Sequence, residues 1–187
     1  MVERVTERVS VMRTTYDPTF LSPSESAELQ QWLTEQVPWR IETFKIFGKQ
    51  QNVPRLSAWY GDQGTCYRYT GIDHVAEGWP NELRSLRQKL LGVCSSEFNF
   101  VILNRYRDGS DYMGWHRDAE SGAHKQIASI SVGAERAFKL EESTGTREFN
   151  LSHGSLLLFD GHLRHQLPKR LRQKGERINL TFRTIDG

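Results

Sequence analysis

The second half of the chain is a succession of short apolar and β-branched segments divided by turn residues, and this pattern limits the fold more than any other. The segments span residues 99–105, 126–132, 137–140, 155–159 and 177–184, with Asp-Gly pairs or single glycines between them. Strands this short and closely spaced are typical of antiparallel sheets that close into a barrel. The sequence therefore predicts a mainly β fold whose core is a jelly roll, also called a double-stranded β-helix, or a related barrel.

Two helices are predicted before these strands. The segment Ser22-Pro23-Ser24-Glu25 has a capping serine followed by a proline at the first helical position, and it precedes a helix over 25–36. A second helix over 81–91 carries a stripe of leucines and ends at Gly92. Because both helices are apolar on one face only, we expect them to flank the β core.

The length and composition indicate one domain. A chain of 187 residues can bury a substantial core, and a net charge of +2 is too small to indicate a nucleic-acid partner by itself. The sequence has neither a signal peptide nor an apolar run long enough to span a membrane, so we expect an intracellular protein with no membrane partner. Cys66 and Cys94 are too few for a cysteine-based metal site.

A histidine and a carboxylate lie two residues apart in His116-Arg117-Asp118. On an extended chain this spacing directs both side chains to one face, where they could supply two of the three ligands of a facial metal triad. An isolated His-x-Asp tripeptide is more often a surface feature. The motif therefore needs a third ligand from elsewhere in the chain.

The other histidines do not decide that ligand by spacing alone. His74 and His124 lie in polar segments and are expected to be solvated, and His153 precedes a turn. His162 and His165 both follow the predicted strand over 155–159, so either could reach the site.

Four blocks of sequence, taken together, resemble the AlkB family of 2-oxoglutarate-dependent dioxygenases. They are Leu103-Asn104-Arg105-Tyr106, His116-Arg117-Asp118, His165-Gln166-Leu167-Pro168 and Arg177-Ile178-Asn179-Leu180-Thr181-Phe182-Arg183. Their order and spacing match the family from about Pro54 to Arg183. The resemblance implies Fe(II) as the metal, with 2-oxoglutarate and O2 as cosubstrates.

The resemblance also implies the metal ligands. The family's second metal histidine stands in a His-x-Leu-Pro context, which is found here at His165 and not at His162. The implied metal set is therefore His116, Asp118 and His165.

Five residues are candidates for binding the two carboxylates of 2-oxoglutarate. Arg177, Asn179 and Arg183 are separated by even numbers and share one face of a strand, as do Asn104 and Tyr106 on another strand. Arginine suits this task because its planar guanidinium can hold a carboxylate with two hydrogen bonds. A solvated strand face would show the same alternation, and the resemblance favours the binding role.

The resemblance implies a nucleotide-recognition lid before the core, built as a β-hairpin. The segments 54–62 and 67–71 interleave arginine with aromatic residues, which can stack on bases. The candidate substrate residues are Arg55, Tyr60, Tyr67 and Tyr69, together with Glu120, an acid that could contact a cationic methylated base. Alternatively, the two segments form a hairpin whose aromatic side chains pack on the core.

Two further segments are candidates for contact with DNA. Ile46-Phe47-Gly48-Lys49 resembles the hairpin finger with which family members that repair duplex DNA fill the gap left by a flipped base, so Phe47 is the candidate wedge. The three-residue recurrence of Ile41, Phe44 and Phe47 is instead typical of a helix with Phe47 in the core. The basic segment 169–174 is a candidate phosphate-contacting loop.

The implied activity is oxidative demethylation of alkylated bases of the 1-methyladenine and 3-methylcytosine type in DNA, with 2-oxoglutarate converted to succinate and formaldehyde released. The predicted layout is one catalytic domain over 1–187, with the helix and lid in about 1–75 and the jelly-roll core in about 76–187. We expect a monomer, cytoplasmic in a bacterium and nuclear in a eukaryote. The alternatives are the same chemistry on RNA, protein or a small molecule, or a non-catalytic nucleic-acid-binding module.

Overall fold

Thirteen strands and two helices account for most of the residues that the computed structural model describes, which are 13–46, 48–69, 72–118 and 126–186. The helices are α1 (Pro23–Gln36) and α2 (Asn81–Leu90). The strands are β1 (Thr15–Asp17), β2 (Arg40–Ile46), β3 (Lys49–Gly61), β4 (Cys66–Tyr69), β5 (Ile72–Val75), β6 (Phe100–Tyr106), β7 (Met113–His116), β8 (Gln126–Gly133), β9 (Arg136–Glu142), β10 (Gly145–Leu151), β11 (Ser155–Asp160), β12 (His165–Leu167) and β13 (Arg177–Arg183).

The strands form a major sheet, a minor sheet and a separate hairpin, and every pairing is antiparallel. The major sheet has seven strands in the order β1-β11-β8-β13-β6-β3-β2, and the minor sheet has four in the order β10-β9-β12-β7. β4 and β5 form the hairpin. This arrangement confirms the predicted mainly β, jelly-roll architecture.

The two larger of three apolar clusters among the described residues lie on the two faces of the major sheet. One joins α1 and α2 to one face of that sheet, and the other lies between the major and minor sheets. β13 contributes to both environments because its side chains alternate. Ile178, Leu180 and Phe182 face the helices, so the alternation turns Arg177, Asn179 and Arg183 towards the space between the sheets.

Both predicted helices are confirmed, with small shifts at their ends. α1 begins at Pro23, and the Ser22 side chain accepts a hydrogen bond from the backbone nitrogen of Glu25 at 3.2 Å. The Glu25 carboxylate accepts from the backbone nitrogen of Ser22 at 2.7 Å, which completes a capping box. The helices thus start where the local signals place them.

The structure contradicts the alternative of a helix through Ile41 and Phe44. Residues 40–46 form β2, which pairs with β3 from Ile46 opposite Lys49 onward. Phe47 lies outside the described residues. The described residues of the segments 54–62 and 67–71 do not pair with each other, because β3 pairs with β2 and β6, whereas β4 pairs with β5.

The turn between β8 and β9 depends on one glycine. Gly133 has a φ of 89°, and a Cβ atom there would lie 2.3 Å from the carbonyl oxygen of Glu176. This close approach brings the start of β13, at Arg177, against the end of β8.

Within the described ranges, neither helix is long and apolar enough to cross a membrane.

Candidate metal, cosubstrate and substrate site

Three predicted ligands converge on one point between the sheets. His116 ends β7, Asp118 follows two residues later, and His165 begins β12, where it pairs directly opposite His116. The Nε2 atoms of His116 and His165 lie 3.5 Å and 3.6 Å from the two carboxylate oxygens of Asp118. All three ligand atoms lie within 4.8 Å of one another.

Backbone carbonyls set the orientation of both imidazole rings. Nδ1 of His116 lies 2.8 Å from the carbonyl oxygen of Gly114, and Nδ1 of His165 lies 2.9 Å from that of Leu163. Because a carbonyl only accepts, each Nδ1 carries the proton and donates it. The unprotonated Nε2 lone pairs therefore face the common point, as metal coordination requires.

Asp118 is held in the ionised form. Its side chain is buried, and Nη2 of Arg183 donates to Oδ2 at 3.1 Å. Burial alone would raise the pKa of Asp118, but the charge of Arg183 opposes this effect and holds that pKa well below the usual range. The backbone nitrogen of Asp118 donates to the carbonyl oxygen of Gly161 at 2.9 Å, which fixes the position of this residue.

The remaining histidines lie away from this cluster or outside the described residues. His162 is exposed and contacts Asp160 at 3.0 Å. His153 accepts from the backbone nitrogen of Gly133 at 2.9 Å, and His124 lies outside the described residues. His74 was expected to be solvated, and that prediction is wrong, because its side chain is buried on β5.

The donor set fits the implied metal. Two neutral imidazoles and one carboxylate on one side of a metal form the facial triad typical of non-haem iron(II) oxygenases. The described residues bring only His116, Asp118 and His165 together in this way. The opposite side of the site is left for cosubstrates.

Arg177 is a buried cation without an anionic partner among the described residues. It is 2% exposed, and Nη2 donates to the Ser131 hydroxyl at 2.9 Å. Its Nε has no hydrogen-bond partner in the described structure, and its guanidinium lies 5.5 Å from the centre of the Tyr106 ring. Burial lowers the pKa of Arg177 to about 10, which leaves it charged at neutral pH. An unpaired buried charge is costly, so this position fits a bound carboxylate.

The other predicted cosubstrate residues share this pocket. Asn104 lies opposite Asn179, and Tyr106 opposite Arg177, on the paired strands β6 and β13. The amide nitrogen of Asn179 donates to Ser129 at 2.7 Å, and its oxygen accepts from Thr181 at 2.8 Å. The pocket is lined by the three candidate metal ligands and by all five predicted cosubstrate residues. Its mixture of buried cations, amides and a phenol fits a dicarboxylate.

A second pocket meets the first at the metal site. Both are lined by Asn104, Met113, Asp118 and Arg183. The second pocket is also lined by residues of the five strands β2 to β6, which are Glu42, Arg55, Ser57, Trp59, Tyr67, His74 and Ile102. The two pockets therefore share a wall that includes one candidate metal ligand, Asp118.

Only some of the predicted substrate residues line the second pocket. Tyr67 and Arg55 are buried in the second pocket: the Tyr67 hydroxyl accepts from Arg183 at 2.7 Å, and Nε of Arg55 donates to the Asn104 amide oxygen at 2.7 Å. Tyr60 lies on the other face of β3, beside Trp32 and the helix-side core. That placement gives no support to a substrate contact by Tyr60. The Tyr69 side chain, Phe47 and Glu120 lie outside the described parts.

A buried cluster on this pocket was missed from the sequence. The Glu42 carboxylate contacts Nε2 of His74 with one oxygen and accepts from the Ser57 hydroxyl with the other at 2.7 Å. Nδ1 of His74 lies 3.1 Å from the carbonyl oxygen of Tyr67. These residues come from four different strands, β2 to β5, so no local motif marks them. The only signal is the Ile-Asp-His-Val alternation of β5, which places His74 on one face.

The basic loop 169–174 is exposed. Lys169 lies over the Tyr112 ring at 4.4 Å, and Arg170 is 3.6 Å from Glu148. Arg172 and Lys174 are exposed as well. The loop leaves its cations accessible to an anionic partner.

The sequence matches the model of the 2OG-Fe(II) oxygenase superfamily over residues 13–183. The chain belongs to this superfamily. The predicted use of iron(II), 2-oxoglutarate and O2 is thereby confirmed, and His116, Asp118 and His165 could hold the metal.

Similar proteins define its place within the superfamily. The chain is 40% identical over 157 residues to the DNA oxidative demethylase ALKBH2 of Mus musculus, covering 75% of this chain and 66% of that protein. The Homo sapiens protein of the same name is 36% identical over 181 residues, with 87% and 69% covered. The alpha-ketoglutarate-dependent dioxygenase alkB homolog 3 of Homo sapiens is 30% identical over 192 residues, with 94% and 67% covered. The chain is thus an AlkB-family member, and it spans about two thirds of the length of these relatives.

A solved structure agrees on the fold. An oxidoreductase of the 2OG-Fe(II) oxygenase family from Burkholderia pseudomallei matches with a TM-score of 0.65 and 14% identity. The match covers 91% of this chain and 84% of that one.

Proposed function

We propose that this protein demethylates alkylated bases in DNA oxidatively. The reaction consumes 2-oxoglutarate and O2 and yields succinate, carbon dioxide, formaldehyde and the unmethylated base. Relatives at 36–40% identity carry the name DNA oxidative demethylase, which supports this substrate class. Bases that carry a methyl group on the Watson–Crick edge, of the 1-methyladenine and 3-methylcytosine type, pair poorly and are the easiest to extrude from a stack.

The observation that carries the proposal is the meeting of two pockets at Asp118 and Arg183. One pocket has the buried cation that a dicarboxylate needs, and the other is lined by aromatic and polar side chains suited to a base. A methyl group in the second pocket would point at the metal from the side that the cosubstrate leaves open.

Each group of residues has a distinct task in this reaction. His116, Asp118 and His165 would hold the iron, and Arg177 would bind a carboxylate of 2-oxoglutarate. When bound, iron(II) with 2-oxoglutarate and O2 supplies the oxidising power for hydroxylation of the methyl carbon. The walls of the second pocket position the methyl group and exclude water, and the hydroxymethyl product then loses formaldehyde.

Features at the surface favour nucleic acid as the substrate. β2 and β3 form a hairpin that reverses between Ile46 and Lys49, as the proposed finger requires. The exposed cations of the loop 169–174 would contact phosphates, and such binding weakens steeply with salt. We propose that the protein acts as a monomer, on duplex DNA by base flipping as well as on single strands.

The test is a mass measurement on an oligonucleotide with one methylated base. Incubation with iron(II) and O2 should remove the mass of one methylene group when 2-oxoglutarate is present and leave the mass unchanged when it is omitted. Parallel assays on methylated RNA decide between the nucleic acids. Succinate production with no change in either nucleic acid would overturn the proposed substrate, and absence of any 2-oxoglutarate turnover would indicate a non-catalytic binding module.

A further inference from the structure

A carboxylate that belongs to neither the metal site nor the cosubstrate site lies in the wall of the second pocket. Among the described residues, Glu42 and Asp118 are the two acids that line this pocket, and Asp118 is engaged by Arg183 and the metal histidines. The Glu42 side chain is 12% exposed. Burying a charge costs free energy, so a carboxylate at this position calls for a structural or functional explanation.

The backbone directs Glu42 into the pocket. The register between β2 and β3 shifts between Ile41, opposite Leu56, and Thr43, opposite Asn52. Glu42 lies within this irregularity. The opposite strand, β3, carries Pro54 here, and proline cannot donate a hydrogen bond to the neighbouring strand. Such bulges re-aim side chains and often lie beside active sites.

Neighbouring groups hold Glu42 as an ionised acceptor. His74 contacts Oε1, and the Ser57 hydroxyl donates to Oε2 at 2.7 Å. Burial opposes ionisation, but these hydrogen bonds and the charge of His74 outweigh it, so the pKa of Glu42 lies below its ordinary value. An ionised carboxylate has about four acceptor sites and no donor. His74 and Ser57 occupy two of these sites, so the remaining sites can accept hydrogen bonds from a ligand in the pocket.

This chemistry distinguishes two kinds of methylated base. In 1-methyladenine and 3-methylcytosine, the methylated nitrogen is next to a carbon that carries an amino group, which is a donor. In 3-methyluracil and 3-methylthymine, both neighbouring carbons carry carbonyl oxygens, which are acceptors. A carboxylate binds the first kind and repels the second.

We propose that Glu42 is a specificity-determining residue that accepts a hydrogen bond from the exocyclic amino group of the substrate base. This inference rests on the proposed function and names the lesions that the second pocket accepts. The acceptor-only state of Glu42 excludes lesions flanked by carbonyl groups. His74 and Ser57 act as positioning residues for this carboxylate.

The test compares 3-methylcytosine with 3-methyluracil in otherwise identical single-stranded oligonucleotides, since the two bases differ only at C4 and in the associated charge. The wild-type protein should favour 3-methylcytosine in kcat/KM, and Glu42→Gln should lower that ratio by about tenfold or more, because the amide can donate to a carbonyl. Glu28→Gln removes an exposed acid of α1 and serves as the control, with an unchanged ratio. Equal losses on both bases in Glu42→Gln would overturn the proposal and leave Glu42 a structural link between strands.

A binding measurement separates this proposal from the proposed function. Trp59 lines the second pocket, so its fluorescence can report binding of the two oligonucleotides without oxygen and hence without turnover. Preference of the wild-type protein for 3-methylcytosine that is lost in Glu42→Gln supports the role of Glu42 even if no demethylation occurs. Absence of any preference in the wild-type protein overturns it, and this result does not depend on the folding of a variant.

Discussion

Arg183 links the lid to the metal site. Its Nη2 donates to Oδ2 of Asp118 at 3.1 Å, its Nη1 donates to the Tyr67 hydroxyl at 2.7 Å, and its guanidinium lies 4.8 Å from the centre of the Tyr67 ring. Tyr67, on the β4–β5 hairpin, therefore positions Arg183, and Arg183 in turn positions the candidate metal ligand Asp118. Because Arg183 is buried, water cannot replace the hydrogen bond that a change at Tyr67 would remove.

Tyr67→Phe should lower kcat/KM about fivefold, since loss of one hydrogen bond to a buried charged group costs about 1 kcal/mol or more. The ring and its packing remain. Steady-state kinetics of succinate formation measure the effect. Tyr16→Phe is the matched control, because its hydroxyl bonds to Asn150 and Ser152 far along the fold and affects stability rather than kcat/KM. Equal kinetics for Tyr67→Phe and the wild-type protein would refute the link.

His165→Ala should abolish iron-dependent succinate production and weaken metal binding, because one of three ligands is lost. His162→Ala should retain most activity, since His162 is exposed and contacts Asp160. Titration with iron(II) under anaerobic conditions gives the affinities. The opposite result would transfer the ligand role to His162.

Arg177→Met should make the protein insensitive to 2-oxoglutarate. Without its anion, Arg177 is a buried unpaired charge, so replacement by a flexible apolar side chain should leave the unliganded protein equally stable or more stable. In the wild-type protein, 2-oxoglutarate should raise the midpoint of thermal unfolding, because a ligand stabilises the state that binds it. Differential scanning calorimetry with and without the cosubstrate measures both effects. A full ligand-induced shift in the variant would place the carboxylate elsewhere.

The contact between Glu42 and His74 should make stability depend on pH. Burial alone would lower the pKa of His74, but the hydrogen bond and charge of Glu42 raise it above 6.5, while the pKa of Glu42 lies below 4.5. The stabilisation from His74 is therefore complete below pH 6.5 and is lost as the pH rises through the higher folded pKa. The stabilisation from Glu42 is complete above pH 4.5 and is lost as the pH falls through the lower folded pKa.

His74→Gln should accordingly lower the free energy of unfolding by about 2 kcal/mol between these two values, with a smaller difference at alkaline pH. Urea unfolding of both proteins over a pH series measures this difference. His153→Gln, on an exposed turn, controls for loss of a histidine. A difference that stays constant across the series would mean that the pKa of His74 is the same in the folded and unfolded states.

Phe47→Ala should harm repair of duplex DNA more than repair of single strands. An apolar wedge replaces the stacking lost when a base is flipped, at a cost of about a few kcal/mol that single strands do not incur. The ratio of kcat/KM on the two substrates measures the effect, and Gln50→Ala on the same hairpin is the control. Equal losses on both substrates would assign Phe47 a structural role.

The sequence predicted the elements that carry strong local signals. α1 has a capping box at Ser22 and Glu25, and β8, β11 and β13 are apolar enough to be recognised. β10 was missed because five of its seven residues are exposed and polar or glycine, and β7 and β12 are very short. Strands of this kind are stabilised by their neighbours in the sheet more than by their own sequence.

The candidate site likewise has features that the sequence predicted and features that it did not. The even spacing of Arg177, Asn179 and Arg183 correctly indicated one shared face, because the period of a strand is fixed. The environment of His74 could not be predicted, since its partner Glu42 is 32 residues away and the strand register that joins them is irregular. Contacts of this kind depend on tertiary structure alone.

The two pockets share a wall, which is made by Asn104, Met113, Asp118 and Arg183. This shared wall has a thermodynamic consequence. A ligand that repositions any of these side chains changes the free energy of binding on the other side, and this coupling acts equally in both directions. Cosubstrate and lesion are therefore expected to alter each other's affinity by the same factor. A damaged base would then change the affinity for 2-oxoglutarate, in addition to being the group that is oxidised.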